Sequence, residues 1–343
     1  MDATPPLPLR GVLAALPTPF DAAGALAPAA VGPLLDLAAG SGCHGALLAG
    51  STGEGPSLTL DERIALVAAA ARWRAARPLD APPFLILCGT GHPAWPDAAH
   101  ATAAAVAAGA DAAVVVPPYY FKGVDDGGLI DWYRRVVDGA GDRLAQGAAA
   151  PRSGSDSSDG IEGPRIPRPR ILLYDIPRHT GVPIPNAVLR ALVDGYGPHG
   201  PIVGLKDSTA DRDATLHRIR ALPELAIFTG TDSHLSEVLA AGGAGAITAL
   251  ASVRGDLLRR VWASAMTAAD DPRTAQAALD AARDALDARP AVAALKAALA
   301  LRLGGDTWHA RPPLVDLPAA DGRAFSQALA QIGAAVDAAA GQG

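Results

Sequence analysis

Eight short apolar runs alternate along this chain with longer stretches that are rich in alanine and leucine. The short runs are continuously apolar, which is typical of parallel strands covered on both faces, and the longer stretches have helical spacing. Eight strand–helix units predict an α/β fold of the (β/α)8 TIM-barrel class. The predicted strands are residues 11–16, 45–49, 84–88, 112–116, 171–175, 202–206, 225–229 and 245–248.

Helix-start signals support this division of the chain. Thr59 is followed three positions later by Glu62, which is the pattern of a capping box and predicts a helix that includes residues 64–76. The Pro-Asn pair at 185–186 predicts the start of another helix. Both signals fall between predicted strands, as the crossover helices of a barrel should.

No strand pattern follows the eighth unit. Residues 272–287, 291–303 and 321–340 predict three further helices. We therefore expect a catalytic barrel over residues 1–265 and a three-helix C-terminal extension over residues 266–343.

One segment, at about residues 138–170, interrupts the pattern. It is rich in Gly, Ser, Asp, Pro and Arg, and such a composition buries too little apolar surface to offset the entropy of ordering the chain. We expect a disordered low-complexity insertion here. Because it precedes the fifth strand, it is predicted to lie at the face of the barrel opposite the active site.

Composition narrows the classes of function. The formal net charge of −6 comes without a dense basic patch, which argues against a nucleic-acid partner and favours small-molecule substrates. Two cysteines, Cys43 and Cys88, are too few for a disulfide framework and suggest a reducing compartment. No apolar stretch is long enough to cross a bilayer, so no membrane association is expected and a cytoplasmic location is predicted.

Lysine is scarce in this chain, and one lysine stands where chemistry is expected. Only three of the 29 basic residues are lysines, and Lys206 ends the sixth predicted strand. Arginine stays charged, whereas a lysine among apolar groups can act as a free amine and attack a ketone. Lys206 is therefore the candidate Schiff-base nucleophile. The alternative is an ion pair with Asp207 or Glu54.

The other two lysines have plainer expectations. Lys122 falls in a predicted loop and should be solvated. Lys296 falls in a predicted helix and should extend its amine to solvent.

Other polar residues also follow predicted strands, where a barrel enzyme gathers its active site. The turn at residues 50–55 offers backbone amides and two hydroxyls that could hold a carboxylate. Tyr119 and Tyr120 follow the fourth strand, and Tyr174 ends the fifth. Cys88 also ends a strand, but no base near it in the sequence would activate the thiol. The eight histidines lack metal-ligand spacing, so neither a metal nor a cofactor is expected.

In order and separation, these motifs resemble the dihydrodipicolinate synthase and N-acetylneuraminate lyase superfamily, the class I pyruvate-dependent aldolases and lyases. The resemblance runs from Gly11 to about Leu317, with the insertion as an interruption. It implies a TIM barrel, three C-terminal helices, no cofactor, and a homotetramer built as a dimer of dimers. The resemblance rests on residues 17–20, 50–54, 118–120, 174–177, 180–181, 204–208, 230–232, 243–247 and 311–314.

The resemblance also implies a role for each matching residue. Lys206 would form an imine with pyruvate or another 2-keto acid, and Tyr174 would relay protons. Gly50, Ser51 and Thr52 would bind the carboxylate, with the Ser51 hydroxyl passing protons to Tyr174. The remaining matches are Tyr120, which would reach into the active site of a neighbouring subunit, and Ile247, whose backbone carbonyl would line the pyruvate pocket.

Departures from the family pattern bear on the substrate. His179 stands where the synthases have an arginine that grips the carboxylate of the aldehyde substrate, and Gly55 follows Glu54 as in the sugar-acid lyases. Asp175 stands where asparagine is usual. These features favour reversible aldol cleavage of a 2-keto-3-deoxy sugar acid, or a related 4-hydroxy-2-oxo acid, to pyruvate and an aldehyde. The alternatives are 4-hydroxy-tetrahydrodipicolinate synthase, which joins pyruvate to aspartate semialdehyde, and a non-catalytic 2-keto-acid binder.

Overall fold

Eight parallel strands close into a barrel in sequence order in the computed structural model, which describes residues 7–149, 168–267 and 272–340. The first strand pairs with both the second and the eighth, so the sheet has no free edge. The predicted barrel is confirmed, and each predicted strand end lies within one residue of its observed position. The strands are β1 (Gly11–Ala15), β2 (Gly45–Leu48), β3 (Leu85–Gly89), β4 (Ala112–Val115), β5 (Ile171–Asp175), β6 (Ile202–Asp207), β7 (Ala226–Thr229) and β8 (Gly245–Thr248).

Helices follow the strands and continue after the last one. The capping box is confirmed, because Thr59 Oγ1 accepts a hydrogen bond from the Glu62 amide while the Glu62 carboxylate accepts one from the Thr59 amide. The helices in the described part of the chain are α1 (Val31–Gly40), α2 (Leu60–Ala75), α3 (Trp95–Ala107), α4 (Asp126–Ala149), α5 (Pro177–Thr180), α6 (Asn186–Tyr196), α7 (Arg212–Ala221), α8 (Leu235–Ala240), α9 (Ala251–Thr267), α10 (Pro272–Asp287), α11 (Ala291–Leu303) and α12 (Ala319–Ala340).

The prediction of disorder from residue 138 onward is wrong for its first part. Helix α4 continues to Ala149, because Val137 and Leu144 continue its buried face and Ala140 packs against α3. The many glycines and charged residues of this stretch hid that periodicity. Residues 150–167 of the predicted insertion lie outside the described residues.

Alternate residues of each strand point to opposite sides of the barrel wall. One set fills the lumen and includes Leu13, Leu172, Tyr174, Phe228 and Ile247. The other set packs outward against the helices in two larger clusters. A residue at a strand end therefore faces either the mouth of the lumen or the helix layer, and its neighbour faces the other.

The C-terminal helices share the outer core of the barrel. Leu279 of α10, Leu295 of α11 and Phe325 of α12 are fully buried in the cluster that also contains Val12 of β1. Helix α9 spans the predicted boundary at residue 265. Within the described ranges, no helix combines the length and the hydropathy that a bilayer span requires.

Candidate active site

Lys206 and Tyr174 lie side by side at the mouth of the lumen. They are register partners on β6 and β5, so both side chains point to the same side of the sheet. Lys206 is only 4% exposed, and its Nζ lies 4.2 Å from the centroid of the Tyr174 ring. The structure thus places the predicted amine beside the predicted phenol.

The Tyr174 phenol is linked to the turn that follows β2. Its hydroxyl lies 3.5 Å from Ser51 Oγ. Burial alone would raise the pKa of this phenol. The nearby charge of Lys206, with hydrogen bonds from Ser51 and Ser208, outweighs burial and lowers the pKa of Tyr174 below its ordinary value of 10. A phenol with a lowered pKa releases its proton more readily and is suited to proton relay.

Two residues with left-handed backbone mark the limits of the turn at residues 50–54: one precedes the turn and the other ends it. Ala49 has φ of 52° and Glu54 has φ of 53°, a region that residues other than glycine rarely adopt. The backbone packs so closely here that a Cβ at Gly55 or Gly89 would lie 2.3 Å from the Ala49 carbonyl oxygen. This close packing explains the glycine that follows Glu54.

Arg63 is a buried residue at this site that the sequence analysis missed. Its guanidinium donates to the carbonyls of Gly89 (2.6 Å), Ala49 (3.4 Å) and Gly55, and so ties both ends of the turn to β3. Arg63 directly follows Glu62 of the capping box and lies on the buried face of α2. A charge on an apolar face needs partners, so this position could have predicted a structural role for Arg63.

Lys296 does not extend to solvent as expected. Its side chain is 1% exposed, and the amine forms a buried ion pair with Glu54 and donates to the His309 carbonyl at 2.5 Å. Burial lowers the pKa of this amine, although its hydrogen bond to Glu54 acts in the opposite direction. The expectation was wrong because helix α11 packs against the barrel over this position. Glu54 is therefore the partner of Lys296 and not of Lys206.

The carboxylates next to the two site residues point away from the lumen. Arg218 of α7 binds Asp175 and Asp207, each at 2.8 Å, and all three side chains are buried. Asp207 is thus engaged outside the barrel, so neither carboxylate proposed as an ion-pair partner for Lys206 faces it. The same contact accounts for Asp175, which is one half of a buried carboxylate pair that shares one guanidinium.

A cavity of about 110 Å³ opens beside the Tyr174 ring. Ser51, Gly50 and His179 line it, as does Tyr119. Burial lowers the pKa of the His179 imidazole, and the charge of Arg178 lowers it further, so this ring is neutral at neutral pH. The structure therefore brings these predicted residues to one pocket.

Four predicted residues do not line this cavity: Lys206, which lies against the Tyr174 ring, and three others. Ile247 is fully buried in the lumen, in the same cluster as Tyr174, and Thr52 is half-buried within the turn. Tyr120 is 76% exposed and stacks edge-on against Phe121 at 5.3 Å between ring centroids. It is not among the residues that line the cavity of its own chain.

Lys122 is exposed, but its amine is not simply solvated. It donates to the carbonyls of Tyr119 and Thr180, both at 2.5 Å, and so joins the loop after β4 to the end of α5. Both of those residues line the cavity. All three lysines of the chain thus lie at or beside this site.

Competing chemistry at the site is limited by burial. Burial raises the pKa of the Cys88 thiol to about 12, so this cysteine stays protonated and unreactive. Among the described residues, His, Cys, Asp and Glu do not gather in a group that could hold a metal ion.

Comparison with known proteins agrees with this architecture. A family model described as the dihydrodipicolinate synthetase family matches residues 8–144 and 167–332. A DapA-like lyase of Chloroflexus aurantiacus is 34% identical over 298 residues, which are 84% of this chain and 86% of that protein. A 4-hydroxy-tetrahydrodipicolinate synthase of a Synechococcus species is 32% identical over 331 residues, which are 95% and 96% of the two chains.

The crystal structure of YagE, a prophage protein from E. coli K12 in complex with pyruvate, has the same fold. It superposes with a TM-score of 0.78 at 23% identity and covers 94% of this chain and 98% of YagE. The resemblance drawn from the motifs is confirmed by the family match, and the barrel by the structure. This chain therefore belongs to the dihydrodipicolinate synthetase family, and it is a lyase.

Proposed function

We propose that this protein reversibly cleaves a 2-keto-3-deoxy sugar acid, or a related 4-hydroxy-2-oxo acid, to pyruvate and an aldehyde through an imine on Lys206. The observation that carries the proposal is the Lys206 amine, 4.2 Å from the centroid of the Tyr174 ring at the mouth of the lumen. YagE, which shares the fold, was crystallised with pyruvate, and this supports a 2-keto acid as the ligand.

The reaction starts when the Lys206 amine attacks the keto carbon and water leaves, which gives a protonated imine. The C4 hydroxyl then loses its proton, the bond between C3 and C4 breaks toward the imine, and the aldehyde departs. Protonation of the resulting enamine at C3, followed by hydrolysis, releases pyruvate and the free amine. Tyr174, whose pKa is lowered, accepts and returns the protons, and Ser51 continues the relay.

The turn after β2 supplies the binding groups. The backbone amides of Gly50, Ser51 and Thr52 hold the carboxylate of the pyruvyl end. Ile247, on β8 in the lumen cluster that also contains Tyr174, would add its backbone carbonyl to the pyruvate site. Because the turn is fixed before substrate arrives, little ordering is needed at the moment of reaction.

His179 favours the aldolase over the synthase. A neutral imidazole donates one hydrogen bond and accepts another, which suits the hydroxyl groups of a sugar-derived aldehyde. The carboxylate of aspartate semialdehyde would be held better by a cation. The synthase remains the second candidate because a relative with that name is 32% identical over 95% of this chain.

We also propose that the working form is a homotetramer in the cytoplasm. The 76% exposure of Tyr120, beside the exposed ring of Phe121, supports a contact with a second subunit. There Tyr120 would enter the neighbouring active site and complete its proton relay.

Two experiments test the proposal. Incubation with pyruvate and borohydride, followed by mass spectrometry of the peptides, should give a reduced adduct on Lys206, and absence of that adduct would overturn the imine mechanism. A panel of 2-keto-3-deoxy acids, assayed for pyruvate release, is expected to contain the substrate.

Aspartate semialdehyde with pyruvate serves as the competing reaction and should give little product. His179→Arg is the matched variant, and it should improve this condensation while it weakens cleavage of the sugar acid. Efficient condensation by the unmodified protein would favour the synthase instead.

A further inference from the structure

Glu54 belongs to the turn at the active site, yet its partners come from the C-terminal extension. Its side chain is fully buried, with one carboxylate oxygen on the Lys296 amine and the other 2.9 Å from the backbone amide of Arg311. Burying two charges is favourable only when the geometry is good and further hydrogen bonds satisfy them. Further hydrogen bonds are present here, because the Arg311 amide donates to Glu54 and the Lys296 amine donates to the carbonyl of His309.

The link extends beyond the pair itself. The Lys296 amine lies 4.5 Å from the centroid of the Phe20 ring, and the Phe20 carbonyl accepts a hydrogen bond from the His309 amide at 3.1 Å. Helix α11 and the segment that follows it are thus joined to the segments that follow both β1 and β2. Motion of α11 relative to the barrel would be transmitted to Glu54.

Glu54 in turn fixes the groups that would bind the carboxylate and relay protons. Its amide donates to the Ser51 carbonyl at 3.2 Å, and the next amide, of Gly55, donates to the Gly50 carbonyl at 2.9 Å. Glu54 has a left-handed backbone, which an unrestrained glutamate would leave for a commoner conformation. A rotation at Glu54 would therefore shift the Ser51 hydroxyl and the neighbouring amides.

We propose that the buried Glu54–Lys296 pair is a positioning unit that holds the carboxylate-binding turn in its reactive geometry and so couples the C-terminal extension to the active site. This role rests on the proposed function. Neither residue lines the cavity. Loss of the pair is expected to weaken pyruvate binding much more than it slows imine chemistry, because the turn binds the carboxylate whereas Lys206 sits on the rigid wall of the barrel.

The decisive variant is the double replacement Glu54→Gln/Lys296→Met. It removes both charges together and leaves no unpaired buried ion, so it should fold where either single replacement is strongly destabilised. Cyanoborohydride trapping of Lys206 is measured against pyruvate concentration, which separates the half-saturating concentration from the maximal rate. We expect the half-saturating concentration to rise about tenfold to a hundredfold, since small misplacements of binding groups have effects of this size. The maximal rate should change far less.

A matched control breaks an equivalent link elsewhere. Arg283 of α10 pairs with the buried Asp232, 3.3 Å away, in the short helical turn that follows β7. Asp232→Asn/Arg283→Met therefore also removes a buried ion pair between the C-terminal extension and the barrel. Its half-saturating pyruvate concentration should stay close to that of the unmodified protein, even where its melting temperature falls.

The outcomes separate the two proposals. If the Glu54→Gln/Lys296→Met protein folds and traps pyruvate with an unchanged half-saturating concentration, the pair serves stability alone and the positioning role is overturned. If that protein does not fold, Glu54→Asp provides the test of the positioning role. This variant keeps both charges but draws the carboxylate back by one methylene. An unchanged half-saturating concentration in Glu54→Asp would equally overturn the role. If the unmodified protein gives no adduct on Lys206, the proposed function itself fails and the positioning role falls with it.

Discussion

The ends of β5 and β6 carry two cross-strand pairs that are one residue apart and face opposite sides of the barrel wall. Tyr174 and Lys206 face the lumen, where the amine lies against the face of the phenol ring. Asp175 and Asp207 face the helix layer, where both bind the guanidinium of Arg218. The inner pair has the composition of a reactive site, and the outer pair has that of a structural clamp.

The difference shows how one stretch of sheet can serve reactivity and stability together. The outer carboxylates share one buried cation, and this joins β5 and β6 through α7 at the height of the inner pair. The backbone that carries Lys206 and Tyr174 is therefore braced from behind. We expect changes to the inner pair to affect turnover with little effect on stability, and changes to the outer network to have the reverse effect.

The largest expected effect is on the inner pair. Lys206→Arg keeps a positive charge but removes the nucleophile, so turnover and borohydride trapping should fall by about ten-thousandfold or more. Steady-state assays and mass spectrometry measure the loss, and thermal melting checks that the fold is retained. Retained turnover in this variant would count decisively against the imine mechanism.

Tyr174→Phe should rank next. It removes the hydroxyl that relays protons while it keeps the ring, so kcat should fall by about a thousandfold with a smaller change in KM. The pKa of Tyr174 is below 10. The pH–rate profile of the unmodified protein should therefore have a basic limb below pH 10, where this phenol loses its proton. A pH–rate profile of the variant should lack that limb. The same profile in both proteins would exclude Tyr174 as the relay.

Arg218→Met tests the outer network. It leaves two buried carboxylates without their cation and should lower the free energy of unfolding by about 3–5 kcal/mol. Urea denaturation at neutral pH measures this loss. Asp175→Asn, which keeps the contact between Arg218 and Asp207, is the matched control and should lose much less. A folded Arg218→Met protein with normal stability but no turnover would reverse the assignment of the two faces.

The smallest expected effect lies on the outside of the barrel, at the start of α2. A hydrogen bond from Arg311, with help from Thr59, lowers the pKa of Glu62 from 4.5 to about 2. Because the folded pKa is depressed, this stabilisation is present above pH 4.5 and is lost as the pH falls toward 2. Solvent screening at this surface site holds it to about 1 kcal/mol. The stability difference between the unmodified protein and Glu62→Gln should shrink over that range. Urea denaturation at a series of pH values would show whether it does.

The sequence by itself determined the barrel, because continuous apolar runs and capping residues are local signals that chain geometry converts directly into strands and helices. It also singled out Lys206 and Tyr174, since the strand ends of a barrel meet at one mouth. The local pattern did not predict the last part of α4. The composition of residues 138–149 indicated disorder, whereas packing against α3 makes this stretch helical.

Tertiary structure alone decided which charged groups meet. Glu54 contacts Arg311 across 257 positions, and neither that contact nor the ion pair with Lys296 follows from the residues on either side. The structural roles of Arg63, Lys122 and Asp175 likewise follow only from the partners that the folded structure gives them. Periodicity is a property of neighbouring residues, whereas the partner of a buried charge depends on how distant elements pack, and the sequence therefore named the reactive groups but not those that hold them in position.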